Sequence, residues 1–230
     1  MFELDTIQNL DAISFLSSLP DSCVDCVITD PPYKQEAHNR GFVSQHSKIY
    51  TEMSEWTSLD NDFYNEAFLE ELVRVCKFPN VFLFGGKRDL VHILNYAERK
   101  GLFYHVLPVC KKAPAPFVNN TWLSLEFAIH LADRKIVYTK DYQTKIPYFL
   151  IQGGKQTTHP NEKNLDMIKR IVSNISKEGQ TILDCFMGSG TTAVACKELN
   201  RHYIGCEVKQ DYIDLANERL NELDNQMELF

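Results

Sequence analysis

Short apolar runs rich in β-branched residues alternate with stretches of helical period along almost the whole chain, and this alternation restricts the fold more than any other feature. VDCVIT at 24–29, VFLFGG at 81–86, FYHVLPV at 103–109, LEFAIHLA at 125–132, TILD at 181–184 and HYIGCE at 202–207 read as strands. Helical spacing covers 10–19, 62–75, 89–100 closed by Gly101, 165–175, 191–199 and 211–223. Strands that are apolar throughout must be covered on both faces. The pattern therefore predicts an α/β fold, a doubly wound, mostly parallel sheet with helices on both faces. Two stretches break it. KKAPAPFVNNTW at 111–122 has the prolines and asparagines of a surface loop, and 134–159 is a polar, basic insertion without clear period, read as an irregular excursion from the sheet.

With 230 residues, 44% of them hydrophobic, the chain suits one domain with insertions. It has no run of eighteen apolar residues, and MFELDTIQNLDA lacks a basic segment followed by an apolar one. A cytoplasmic protein with no membrane contact is expected. The seven cysteines are then reduced thiols. The close pair Cys23 and Cys26 lacks a second ligand pair at zinc spacing, so it reads as small residues flanking a strand, and no metal is expected. The net charge of -7 argues against a polyanionic partner until its distribution is considered. Residues 85–155 hold 11 Lys and Arg against 5 Asp and Glu, +6, leaving -13 for the rest. A basic centre on an acidic chain fits either a phosphate-facing surface or solvated helix faces.

TILDCFMGSGTTA at 181–193 runs a buried strand into a glycine-bearing turn that opens a helix. Glycines let backbone approach a ligand, and the helix start directs N–H groups at it. Seventeen residues after Gly190, Glu207 ends the next strand, where a carboxylate can bind two ribose hydroxyls. This reads as a nucleoside-cofactor site. Gly188, Gly190 and Ala193 also satisfy the G-x-G-x-x-A dinucleotide fingerprint, so NAD is the alternative, and a structural turn is another. Asp184, four residues before the first glycine, suits a cationic amino-acid cofactor and would repel a pyrophosphate.

Asp30, Pro31, Pro32 and Tyr33 follow the first strand run. Strand ends of this kind are where ligands bind in open α/β sheets. The prolines fix the backbone and leave carbonyl acceptors. An exocyclic amino group that donates one hydrogen to the Asp30 carboxylate and one to the Pro31 carbonyl has its lone pair drawn out of conjugation, and Tyr33 offers a face for an extruded base. A rigid turn would use the same residues.

Taken together, these motifs resemble the β-class DNA amino-methyltransferases, in which the catalytic motif precedes the cofactor motif. The resemblance runs through LDAISFLSSLPDSCVDCVITDPPY, VFLFGG, WLSLEFAIH and the stretch from HPNEK at 159–163 to Val208. It implies a circularly permuted, Rossmann-like methyltransferase fold and S-adenosylmethionine as cofactor. Asp30, Pro31, Pro32 and Tyr33 match the catalytic tetrapeptide, with Asp30 also beside the cofactor. Asp184, Phe186, Gly188, Ser189, Gly190 and Thr191 match the loop around the methionine part, and Glu207 the ribose ligand. His159, Pro160, Asn161, Glu162 and Lys163 match the segment that closes over the cofactor, with Asn164 where proline is usual. Asp11 matches an acidic position near the adenine ring, with Leu10 in place of the usual glycine. An aspartate heading the tetrapeptide is commoner for adenine N6 and a serine for cytosine N4, so adenine is the expected target. Carbon methylation needs a thiolate after a proline, and none of the seven cysteines follows one.

The implied layout is one domain over 1–230, with a target-recognition insertion at about 134–156 and a mobile loop at about 34–52 placed to close over a flipped base. Double-stranded DNA is the implied partner. Lys111, Lys112, Arg134, Lys135, Lys140, Lys145 and Lys155 are the candidates for DNA contacts. A cognate restriction endonuclease and a homodimer are further candidates. A cytosine N4 DNA methyltransferase is the first rival reading, with an RNA or small-molecule methyltransferase and a catalytically silent DNA-binding protein behind it.

Overall fold

The computed structural model describes residues 3–32, 64–111, 126–133, 148–151 and 162–227. Eight strands form one sheet: β1 (Thr6–Gln8), β2 (Cys26–Thr29), β3 (Asn80–Gly85), β4 (Phe103–Lys111), β5 (Glu126–Ala132), β6 (Phe149–Ile151), β7 (Thr181–Asp184) and β8 (His202–Cys206). Their order is β1-β8-β7-β2-β3-β5-β4-β6. Every pairing is parallel except those of β5, which runs against both β3 and β4. The six described helices are α1 (Ala12–Ser18), α2 (Glu66–Arg74), α3 (Lys87–Lys100), α4 (Leu165–Ile175), α5 (Thr191–Glu198) and α6 (Gln210–Met227).

Strand side chains alternate between two cores, which is why the strand runs are apolar throughout. Val27, Val81, Leu83, Leu183 and Ile204 face Phe15, Leu16, Phe68, Leu72, Ile93 and Tyr96 of α1, α2 and α3. Cys26, Ile28, Phe82, Phe84, Ile182 and Tyr203 face Ile168, Ile171 and Val172 of α4, Ala195 of α5 and Leu220 of α6. The doubly wound α/β expectation is met. Local chemistry sets the helix starts: Asp11, Asn65 and Asn164 each accept a hydrogen bond from the N–H three residues on, and Gly101 closes α3 in the left-handed region at φ 64°.

The structure departs from the sequence reading in three places. The insertion is not irregular throughout, since Phe149, Leu150 and Ile151 pair with the end of β4. Three residues are too few to show a period. β1, equally short, pairs with β8 at the other edge of the sheet. β5 gives the sheet one antiparallel member, a direction that strand composition does not encode.

Candidate active site

The connections leave the centre of the sheet in opposite directions. From β7 the chain passes through α5 to β8 on one side, and from β2 it goes on to β3 on the other. The crevice at the carboxyl ends of β2 and β7 is thus a topological switch point, where open α/β sheets bind ligands. Asp30 leaves β2 there, and the glycine turn leaves β7. The Thr29 hydroxyl donates to Asp184 at 3.0 Å and joins the two strand ends.

The turn is built for close approach. Gly188 and Gly190 take φ 52° and 80°, and a Cβ on Gly190 would lie 2.7 Å from that of Ala216 on α6. Gly205 in β8 admits the turn beneath it, since a Cβ there would stand 2.5 Å from the Asp184 carbonyl. Met187 N–H donates to the Cys206 carbonyl at 3.0 Å. Asp184 is buried, 5% exposed. It accepts from Thr29, from Phe186 N–H at 3.0 Å and from the Thr192 hydroxyl at 2.6 Å. Burial pushes its carboxyl up to about 6 against these donors. Asp184 therefore shapes the turn and supplies charge from beneath it. Phe186 packs edge-on against Phe68 of α2. The Glu207 carboxylate accepts from Gly188 N–H at 2.9 Å and from Lys209 N–H at 3.0 Å. Glycines in the left-handed region, a helix start, a strand-end carboxylate and a buried anion together suit a nucleoside carrying a cationic amino acid. Cys185 and Cys206 flank the turn, but burial pushes both thiols far up, so neither is poised as a nucleophilic thiolate.

On the other side of the crevice Pro31 is buried and Pro32 half-buried. The Asp30 carboxylate pairs with Lys163 Nζ at 2.9 Å. That ammonium also lies 3.4 Å from Glu126 and 4.7 Å from the centre of the Phe84 ring. Because β5 is antiparallel, its first residue, Glu126, reaches the rim formed by the carboxyl ends of its neighbours. The ammonium orients Asp30 from the side of β3 and β5.

The structure thus brings Asp30, Pro31, Pro32, Lys163, Asp184, Phe186, Gly188, Ser189, Gly190, Thr191 and Glu207 to one rim. Asp11 lies on the same rim after β1, exposed, where its carboxylate caps α1 by accepting from Ser14 N–H at 2.9 Å. Lys111 ends β4. Tyr33, His159, Pro160, Asn161, Lys112, Arg134, Lys135, Lys140, Lys145 and Lys155 lie outside the described residues, as do the 34–52 loop and all of the 134–156 insertion except residues 148–151. Sequence reasoning missed Thr29, Glu126, Thr192, Gly205 and Arg219. Arg219 of α6 donates to the Ser189 carbonyl at 2.6 Å and pairs with Glu162 at 3.2 Å. Glu126 carries the one available signal, a carboxylate opening an otherwise apolar strand.

Among the described residues no helix is long and apolar enough to cross a membrane. Residues 119–218 match the family model for N6/N4-type DNA methylases. The chain is similar to two type II methyltransferases. M.HinfI of Haemophilus influenzae is 24% identical over 96% of this chain and 69% of that protein, and M1.MboII of Moraxella bovis is 22% identical over 97% and 99%. Among solved structures, the M1.HpyAVI–SAM complex superposes with a TM-score of 0.70 at 25% identity, covering 93% of this chain and 98% of that one. The cytosine-N4-specific PvuII DNA methyltransferase shares the fold, with a TM-score of 0.68 at 16% identity over 93% and 87%. These similarities agree with Asp30, Pro31 and Pro32 meeting the glycine turn at one switch point: over residues 119–218 the chain matches the N6/N4-type DNA methylase model, and along nearly its whole length it is similar to type II methyltransferases.

Proposed function

We propose that this protein transfers a methyl group from S-adenosylmethionine to the exocyclic N6 of adenine in double-stranded DNA. The observation that carries the reading is the hydrogen bond between the two halves of the crevice. Thr29, next to Asp30 in sequence, is hydrogen-bonded to Asp184 at the base of the glycine turn. This holds Asp30 next to the glycine turn, which supports the reading that the base and the cofactor meet there. The similar M1.HpyAVI was solved as a complex with the same cofactor.

Bound at the glycine turn, S-adenosylmethionine supplies a methyl group on a cationic sulfur. Gly188, Ser189, Gly190 and Thr191 form the cradle, Glu207 receives the ribose hydroxyls, and Asp184 provides negative charge from below. Asp11, Phe186 and Lys163 border the same site, and we assign His159, Pro160 and Asn161 to its closure. Asp30 and the Pro31 carbonyl accept the two amino hydrogens of the target base, which frees the nitrogen lone pair to attack. These residues would hold the amino nitrogen in line with the cofactor's methyl carbon, with sulfur as the leaving group. The amino nitrogen then gives up one proton, and the Asp30 carboxylate is the acceptor nearest to it. Tyr33 stacks on the base, which must be flipped out of the duplex to enter.

The aspartate heading the tetrapeptide favours adenine over cytosine. The basic residues from Lys111 to Lys155 hold the duplex, the 134–156 insertion reads the site, and the 34–52 loop closes over the flipped base. Action in the cytoplasm, on its own or with a cognate restriction endonuclease, and a homodimeric state are part of the same proposal. Transfer of labelled methyl groups to duplex DNA, RNA and free nucleosides tests the reading. Label in duplex DNA, abolished by Asp30→Ala, supports it. Label confined to RNA or nucleosides, or an Asp30→Ala rate within tenfold of the parent, overturns it.

A further inference from the structure

We propose that Arg219 is a positioning residue that clamps the 162–164 segment to the glycine turn and so holds Lys163 against Asp30; the inference rests on the methyl-transfer reading above. Nothing in the tetrapeptide or the glycine turn points to this arginine, which lies in the last helix. One nitrogen of its guanidinium donates to the Ser189 carbonyl at 2.6 Å and lies 3.2 Å from the Thr191 hydroxyl and 3.4 Å from that of Ser189. The other nitrogen is 3.2 Å from Glu162, whose side chain is 3% exposed against 12% for the arginine.

A planar fork with separate donors can hold two segments at once, which a lysine cannot do with the same geometry. Three residues earlier on α6, Ala216 packs against Gly190. The helix therefore presses on the turn at two points, one steric and one polar. Beyond Glu162 the chain continues into Lys163, which meets Asp30 at 2.9 Å, and Asn164, whose side chain caps α4 by accepting from Met167 N–H at 3.0 Å. A fixed Glu162 thus limits where the Lys163 ammonium can go. The result is a continuous line from the backbone that cradles the cofactor, through Arg219, Glu162 and Lys163, to the carboxylate that receives the base. Burying an ion pair carries a desolvation cost that a surface helix has no need of, so a pair kept here marks a constraint on geometry.

Arg219→Met, Arg219→Lys, Glu162→Gln and the double variant Arg219→Met/Glu162→Gln test the proposal. For each, the affinity for S-adenosylmethionine is measured by calorimetry without DNA, kcat at saturating cofactor and duplex, and the urea midpoint. Arg219→Met is expected to lower kcat by about tenfold or more, the scale of a small misplacement at a reacting centre, and to weaken cofactor binding. Arg219→Lys should be impaired less because the charge remains, and the double variant should be no slower than Arg219→Met alone. If the methionine variant does not fold, Arg219→Lys and Glu162→Gln carry the test, each expected to lower kcat while it remains folded under the assay conditions, whatever the shift in urea midpoint. Retention of kcat within about twofold by folded Arg219 variants, or reductions in the two single variants that multiply in the double, would overturn the clamp. A parent chain that binds no S-adenosylmethionine would instead overturn the underlying reading, before any variant is compared.

Discussion

Replacing Asp184 with asparagine removes a carboxylate whose ionisation the fold opposes, and the effect on stability should depend on pH in a defined direction. Burial raises this carboxyl from 3.8 to about 6. At about 1.4 kcal/mol per pH unit, ionising it costs the folded state about 3 kcal/mol. Because the folded value is the higher one, the stabilisation is complete below pH 3.8 and is lost as pH rises through about 6. Asparagine, neutral throughout, removes that loss. It also changes the hydrogen bonds. An amide oxygen can replace the carboxylate oxygen that accepts from Thr29 and Phe186 N–H, but the amide nitrogen cannot accept from Thr192, whose hydroxyl must turn round. One impaired hydrogen bond is worth about 1 kcal/mol. The variant should therefore be less stable than the parent by about 0.5 kcal/mol at pH 4 and more stable by about 2 kcal/mol at pH 8, a crossover set by the two effects above. Urea unfolding of both proteins at intervals from pH 4 to 8 measures this. A constant difference across the range would refute the argument, because the carboxyl would then titrate alike in the folded and unfolded states.

Glu207→Ala should weaken binding of S-adenosylmethionine by about 1.5 to 3 kcal/mol, the range for hydrogen bonds to a charged group, and unchanged affinity by calorimetric titration would remove it from the site. Gly190→Ala should destabilise the fold by about 2 kcal/mol or more in urea unfolding, since its φ of 80° and a 2.7 Å approach to Ala216 both oppose a side chain; a neutral effect would mean that α6 and the turn separate freely. Neutralising pairs among Lys111, Lys112, Arg134, Lys135, Lys140, Lys145 and Lys155 should lower the salt dependence of duplex binding by about one log-log unit for each phosphate that is no longer paired with a cation, with cofactor affinity unmoved. An unchanged slope with all seven neutralised would place the DNA elsewhere.

What the sequence revealed and what it hid follow from the range of the interactions involved. Cys26, Val27 and Ile28, or Phe82, Leu83 and Phe84, had to read as strands because alternate side chains enter different cores. The helix from Leu165 to Ile175 was legible to the residue; in the structure Asn164 caps it and Met167, Ile168, Ile171, Val172 and Ile175 are buried. The glycine turn was legible because its geometry needs residues without a Cβ in a short span. Edge strands β1 and β6 have three residues each, less than two full periods, and gave no signal. The reversed direction of β5 depends on its partners, so the arrival of Glu126 at the rim could not be foreseen. Arg219 reads as an ordinary polar residue of an amphipathic helix. Only the folded chain places it between Ser189 and Glu162.

The most direct test of the account is the chemical identity of the product. Duplex DNA incubated with the protein and S-adenosylmethionine, then digested to nucleosides and resolved by mass against standards, should contain N6-methyladenine, and should contain none when Asp30 is alanine. N4-methylcytosine would keep the chemistry of the crevice and reassign its target. DNA without any methylated amino group, from a folded protein that binds the cofactor, would contradict the central claim.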